Sequence, residues 1–99
     1  MSKIRIMVVC GFGLGSSMVL KLKLDAVLKQ HGLKADTFCA DVMTAPSERY
    51  DLVFTSRELL ATFQGDTRPV VAIGNFLSEQ EIAEKGLLII QQLLAHQAS

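Results

Sequence analysis

The sequence has no tryptophan, one tyrosine, two prolines and two cysteines in 99 residues, and no excess of either charge: ten basic side chains face ten acidic ones. The charge balance removes the positive field with which general nucleic-acid binders gather phosphates, so nucleic acid is not an expected partner. No apolar run approaches the roughly 18 residues of a membrane span, and the apolar stretch before Gly11 is too short for a secretory signal. These absences predict a cytoplasmic protein. Cys10 and Cys39 have neither Cys-x-x-Cys spacing nor a nearby histidine, which argues against zinc or any other metal, and no cofactor motif is visible. In a reducing compartment both are expected as free thiols. Aromatics are only 6% against 49% hydrophobic, which suits a compact aliphatic core in one domain spanning residues 1–99.

The chain is organised around Lys3 to His31. Ile4 to Val9 is apolar and β-branched enough for a strand buried on both faces. Cys10 follows, then glycines at 11, 13 and 15 around Phe12 and Leu14, then Ser16 and Ser17, both good helix caps. From Ser17 to Gln30, Leu20, Leu24, Val27 and Leu28 share one helical face, which Met18 and Leu22 are expected to widen. Lys21, Asp25 and Lys29 are spaced for pairing on the solvent side, Gly32 closes the helix, and His31 suits its last turn.

Leu33 to Ala40 reads as a second strand, with Ala35, Thr37 and Cys39 on one face and Asp36 and Phe38 on the other. Residues 41–50 form a polar loop or short helical turn. Leu52 to Thr55 is a third, buried strand, after which Ser56 caps a helix from Arg57 to about Phe63. Gln64-Gly65-Asp66 is a turn, Pro69 to Ile73 the fourth strand, and Gly74-Asn75 another turn. Ser78 and Glu81 fit a capping box ahead of a helix to about His96, with Leu87, Ile90, Leu93 and Leu94 inward. Gly86 costs that helix about 1 kcal/mol or divides it in two. Alternating strands and helices predict an α/β single domain: a four-stranded parallel sheet of order 2-1-3-4 flanked by helices, flavodoxin-like or Rossmann-like, with a P-loop-like cysteine loop after the first strand. Ligands of such sheets bind beyond the carboxyl ends of the strands, where Cys10 falls and where residues 40–50, 55–57 and 74–77 should form the rim.

A helix N-terminus offers unpaired N–H groups and partial positive charge, and glycines turn further N–H groups inward as an anion nest. A thiol facing that nest is drawn toward thiolate, its reactive form. Cys10 is therefore a candidate nucleophile beside a phosphate cradle. The plainer alternative is a small core cysteine followed by a glycine-tightened turn. A dinucleotide fingerprint fails, since Ser16 stands where Gly-x-Gly-x-x-Gly needs its last glycine, and a nucleotide P-loop fails for want of a lysine there. The cysteine-phosphatase signature Cys-x5-Arg-Ser/Thr comes closer: Ser17 holds the hydroxyl position, but Ser16 replaces the arginine that clamps a phosphoryl group during transfer to water. Such a loop holds a phosphoryl group on sulfur and hydrolyses it poorly, as a carrier must. A small cysteine phosphatase or an arsenate-reductase-like enzyme is the competing reading. A non-catalytic regulatory module is a more distant one.

The run Cys-Gly-x-Gly-x-Gly-Ser-Ser-Met at 10–18, the Lys-x-Lys-x-Asp helix after it, the Asn75-Phe-Leu-Ser78 segment and the overall length resemble the IIB component of the bacterial sugar phosphotransferase system, in the lactose, ascorbate and galactitol group and nearest the ascorbate type. The resemblance implies a protein-N(pi)-phosphohistidine–sugar phosphotransferase component. Cys10 would accept a phosphoryl group from a phosphohistidine on a IIA protein and pass it to a sugar held by a membrane IIC partner. Backbone N–H groups of Gly11, Phe12, Gly13, Leu14, Gly15, Ser16 and Ser17 would hold the phosphate, the serine hydroxyls assisting, with Phe12 and Leu14 turned outward to partners. A monomer suffices for such a shuttle. If the first two strands are neighbours, Cys39 and Cys10 would end at one edge, near enough for a disulfide that blocks phosphorylation; the alternative is that Cys39 is a small buried residue.

Overall fold

The computed structural model of the protein describes residues 4–9, 14–65 and 67–98. Cys10, Gly11, Phe12, Gly13 and Asp66 lie outside the described residues. Four strands, β1 (Arg5–Val9), β2 (Asp36–Ala40), β3 (Leu52–Thr55) and β4 (Val70–Ala72), form one parallel sheet in the order β2-β1-β3-β4. Two helices accompany it, α1 (Leu14–Gln30) and α2 (Glu79–Ala98), with 3₁₀ segments at Ala45–Ser47 and Arg57–Phe63. The expected strand order and architecture are those observed.

Handedness explains the layering. Connections between parallel strands are right-handed, so a step from β1 leftward to β2 and steps rightward to β3 and β4 must cross opposite faces of the sheet. On one face, Ile4, Ile6, Val8 and Phe54 pack with Leu20 and Leu24 of α1 and Ile82 and Ile90 of α2. On the other, Met7, Val9 and Val53 are covered by Ala45, Tyr50 and Phe63 from the 3₁₀ segments and their flanks. Both long helices therefore lie on one face, and short segments suffice for the other. Ile6 to Val9 are buried from both sides, as their unbroken apolar run requires.

The buried face of α1 is the expected one: Leu20, Leu24, Val27 and Leu28 are at most 4% exposed. Met18 and Leu22, expected to widen it, are instead 52% and 62% exposed. They lie toward the side away from the sheet, where no element among the described residues covers the apolar stripe. Lys21 donates to Asp25 at 2.9 Å as its spacing suggested, and the other oxygen of Asp25 accepts a 2.6 Å hydrogen bond from Thr37 on β2. Gly32, at φ +66, ends the helix: Leu33 N–H donates to the Leu28 carbonyl at 2.9 Å and Gly32 N–H to that of Lys29 at 3.2 Å, a glycine-closed Schellman arrangement.

Gly86 does not divide the last helix, since α2 runs unbroken from Glu79 to Ala98. A Cβ there would come within 2.7 Å of Phe54 Cε2 and closer still to Cζ, and Phe54 is wholly buried in the middle of β3. The residue is glycine because the helix rides directly on that ring. Gly86→Ala gains about 1 kcal/mol of helix propensity but overpacks a rigid site at about 1–3 kcal/mol. The expected net result is a lower urea midpoint; a midpoint at or above that of the parent chain contradicts the close-packing account.

Candidate functional site

All four strands point the same way, so their carboxyl ends share one edge. Val9, the last residue of β1, pairs with Ala40 on one side and Thr55 on the other, and Thr55 pairs with Ala72. The residue after Val9 is Cys10. Helix α1 begins at Leu14, three residues earlier than the sequence pattern suggested. Ser16 and Ser17 thus lie in its first turn rather than at its cap position. Ser17 lies three residues before Leu20, is 1% exposed and continues the buried face, so the helical period runs back through it. The N–H groups of Leu14, Gly15 and Ser16 have no acceptor within the helix, and the first turn carries no acidic side chain to offset the helix dipole. Of the sequence-selected site residues, Leu14, Gly15, Ser16 and Ser17 are placed together at this positive end. Cys10, Gly11, Phe12 and Gly13 are outside the described residues.

Two hydroxyls complete the edge. Thr55 is fully buried and Ser56 is 4% exposed, and neither Thr55 Oγ1 nor Ser56 Oγ has a hydrogen-bond partner among the described residues. Ser56 stands at the N-cap position expected of it, with the extended backbone usual there, at φ −84 and ψ 163, but its hydroxyl makes no cap hydrogen bond, and the segment after it is 3₁₀, with Leu59 N–H donating to the Ser56 carbonyl at 3.1 Å. Each such orphan costs a fold about 1–3 kcal/mol. Sequence reading placed residues 55–57 on the rim and gave Ser56 a cap's role, but assigned neither hydroxyl to the site. A Thr-Ser pair directly after a buried apolar strand was the available signal.

Ser56 also lines a cleft of about 400 Å³ with Arg57, Glu58, Ile73, Gly74, Asn75 and Phe76. The Arg57 guanidinium lies over Gly74, where a Cβ would meet Nη2 at 3.1 Å. The Gly74–Asn75 turn is fixed from below by Glu81, whose carboxylate accepts from Gly74 N–H at 2.7 Å, Asn75 N–H at 2.9 Å and Lys85 Nζ at 2.6 Å. Only half of the expected capping box forms. Ser78 Oγ accepts from Glu81 N–H at 3.1 Å, but the Glu81 side chain serves the turn, and Ser78 N–H donates to the Asn75 carbonyl instead. The Lys85 ammonium and the two turn N–H groups hold Glu81 down from the usual 4.5 to about 2.

Comparison with known proteins places the chain in a family. The family described as "PTS system, Lactose/Cellobiose specific IIB subunit" matches residues 5–86. The chain belongs to the IIB family of the sugar phosphotransferase system. An ascorbate-specific PTS system EIIB component of Shigella dysenteriae is 32% identical over 93 residues, covering 90% of this chain and 91% of the relative. A protein of the same description from Mycoplasma pneumoniae is 25% identical, covering 82% and 88%. The lactose-specific IIB domain of Streptococcus pneumoniae shares the fold, with a TM-score of 0.50 at 14% identity over 96% of this chain and 98% of that one. As a IIB protein the chain is a component of a phosphotransferase. Among the described residues no helix of this IIB protein is long and apolar enough to cross a membrane.

Cys39 is partly buried beside Val8, and burial pushes its thiol up, with Lys21 offsetting a part. That favours the inert thiol form. The disulfide considered for it involves Cys10, outside the described residues.

Glu81 yields a signed pH dependence for this IIB protein. A carboxylate depressed on folding contributes stability above its unfolded value, near 4.5, and loses that contribution as pH falls toward 2. Urea midpoints recorded from pH 6 to pH 2 should fall across that window, and Glu81→Gln should flatten the fall. An unchanged profile in the variant contradicts the role given to this carboxylate.

Proposed function

We propose that this IIB protein is a cytoplasmic phosphocysteine carrier. The Cys10 sulfur attacks the phosphorus of a phosphohistidine on a IIA protein; the S–P bond forms, the P–N bond breaks, and the imidazole keeps the electron pair. A sugar hydroxyl held by a membrane IIC partner then attacks the same phosphorus. The O–P bond forms, the S–P bond breaks, the thiolate returns, and the hydroxyl proton passes to a group on the membrane partner. Phosphohistidine and phosphocysteine are both labile, so each step depends on alignment more than on acid or base assistance. Backbone N–H groups from Gly11 through Ser17 hold the phosphoryl oxygens, with the Ser16 and Ser17 hydroxyls assisting.

The observation that carries this reading is the edge itself: the strand leading into Cys10 ends at the carboxyl edge of the sheet, and α1 begins four residues after Cys10 with no acidic side chain in its first turn. Met18, Met43 and Leu77, which are 52%, 83% and 67% exposed, lie in segments close after the carboxyl ends of β1, β2 and β4. They suit a protein that docks weakly on two partners in turn. The names of the relatives favour an ascorbate-like sugar as acceptor, and a monomer meets the task.

The arginines weigh against a phosphatase. Arg5 begins β1, and Arg49 and Arg68 precede β3 and β4, so these three belong to the opposite edge. Arg57 alone follows a strand, and its guanidinium lies over Gly74 on the β4 side, whereas Cys10 follows β1 on the other side of β3. With no clamp on the equatorial oxygens, transfer to water is slow. The purified protein should give no vigorous turnover of p-nitrophenyl phosphate. In a reconstituted system Cys10→Ser should abolish transfer from phosphorylated IIA to sugar while leaving the unfolding midpoint in place. Rapid release of nitrophenol, or transfer that survives the substitution, would overturn the carrier.

A further inference from the structure

The segments that follow β3 and β4 enclose a cleft of about 400 Å³ that the carrier chemistry does not use. It lies on the β4 side of the sheet, away from the end of β1, and is lined only from residues 56–58 and 73–76. Such a volume falls among small-molecule sites, which run from about 300 to 1,000 Å³. Its wall is mixed. Ile73 is buried and Phe76 half-buried against one core cluster, so one side is apolar. Ser56 is nine-tenths buried or more, and its hydroxyl has no hydrogen-bond partner among the described residues. Buried hydroxyls are ordinarily satisfied, so an unmet one lining a cleft marks where a ligand would complete the set. The Arg57 guanidinium lies over Gly74, where a Cβ would stand 3.1 Å from Nη2, so the glycine leaves it its place. Among the described residues no carboxylate pairs with it. The nearby Glu81 is already taken by the turn N–H groups and Lys85. Asn75 Oδ1 accepts from Leu77 N–H at 3.0 Å, so its amide has N–H donors left to offer.

We propose that this cleft is a second, reversible binding site, for a small hydroxylated monocarboxylate such as a sugar acid. Arg57 takes the carboxylate in its planar fork, and the Ser56 hydroxyl and the Asn75 amide donate to further oxygens of the ligand. The single charge follows from the lining. Arg57 is opposed there by Glu58, so one anionic group is matched, whereas a dianion such as phosphate would face a carboxylate. The hydroxyls follow from the same residue, because Glu58 is an acceptor that a ligand hydroxyl can satisfy. Ile73 and Phe76 take the carbon skeleton. No covalent bond forms or breaks, and the site does not depend on Cys10.

The test titrates the purified protein with D-glucuronate and D-gluconate and follows backbone amide chemical shifts, with acetate, glucose and inorganic phosphate as comparators. At least one sugar acid should shift the amides of residues 56–58 and 73–76 saturably at millimolar concentration, and more tightly than any comparator. Arg57→Gln should weaken that binding about tenfold or more, the scale for a lost hydrogen bond to a charged group. Ser56→Ala should weaken it while leaving the thermal midpoint unchanged or higher, since the hydroxyl removed has no partner in the fold. Gly74→Ala should weaken it by crowding the guanidinium. Cys10→Ala should bind as the parent does, so a failure of the carrier reading leaves this result untouched. The inference is overturned by the absence of saturable shifts with both sugar acids, by phosphate or acetate binding as tightly, or by binding that survives Arg57→Gln. Binding lost in Cys10→Ala overturns it too, because the ligand would then sit at the cysteine loop.

Discussion

The molecule depends on β1 being the central, doubly paired strand. Holding Val9 between Ala40 and Thr55 fixes the point where the chain leaves the sheet and turns into α1. Because the strands added on either side of β1 cross opposite faces, the sheet divides at this point, and a parallel sheet binds its ligands at such a division. The residue that leaves β1 there is a cysteine, and the first helix turn after it offers unpaired N–H groups. No single feature is unusual; their convergence at one strand end makes the candidate site.

The rest of the fold serves that edge from a distance. Leu20, Leu24, Val27 and Leu28 seat α1 on the sheet and so fix where its N-terminus lies. Gly86 lets α2 ride on the Phe54 ring, in the residue before Thr55, and Glu81 on the same helix reaches forward to the Gly74–Asn75 turn. One helix therefore braces both β3 and the loop after β4. The lower face needs less, and short 3₁₀ segments anchored by Tyr50 and Phe63 cover it. Stability resides in the aliphatic layers, while among the described residues the unsatisfied buried side-chain atoms, Thr55 Oγ1 and Ser56 Oγ, lie at the carboxyl end of β3.

Much of this was legible in residue order. The unbroken apolar run before Cys10 specified a central parallel strand, and Gly32 marked the helix end that its left-handed conformation confirms. The alternation in β2 correctly put Thr37 and Cys39 on one face, which the fold turns toward α1. What escaped was what depends on contacts between distant segments. Nothing local says that Met18 and Leu22 are left exposed, or that Gly86 faces Phe54 across the interior. Glu81 reads as a local cap because its tertiary partners, Gly74 and Asn75, lie before the helix in a turn whose path only the sheet determines. The serines at 16 and 17 read as caps because a cap looks the same in sequence whether a helix starts at it or three residues before. Thr55 and Ser56 were placed at the rim, but only an inventory of hydrogen bonds shows that their hydroxyls are unmet.

The central claim is that the cysteine after β1 carries the phosphoryl group, and the most direct measurement is the intact mass of the protein after incubation with a phosphorylated IIA protein of the ascorbate type, followed by peptide mapping. The account predicts a gain of one phosphoryl group, mapped to the peptide holding Cys10, absent in Cys10→Ala and lost when sugar and the membrane partner are supplied. A gain mapped to His31 or His96, or one that persists in Cys10→Ala, would contradict it.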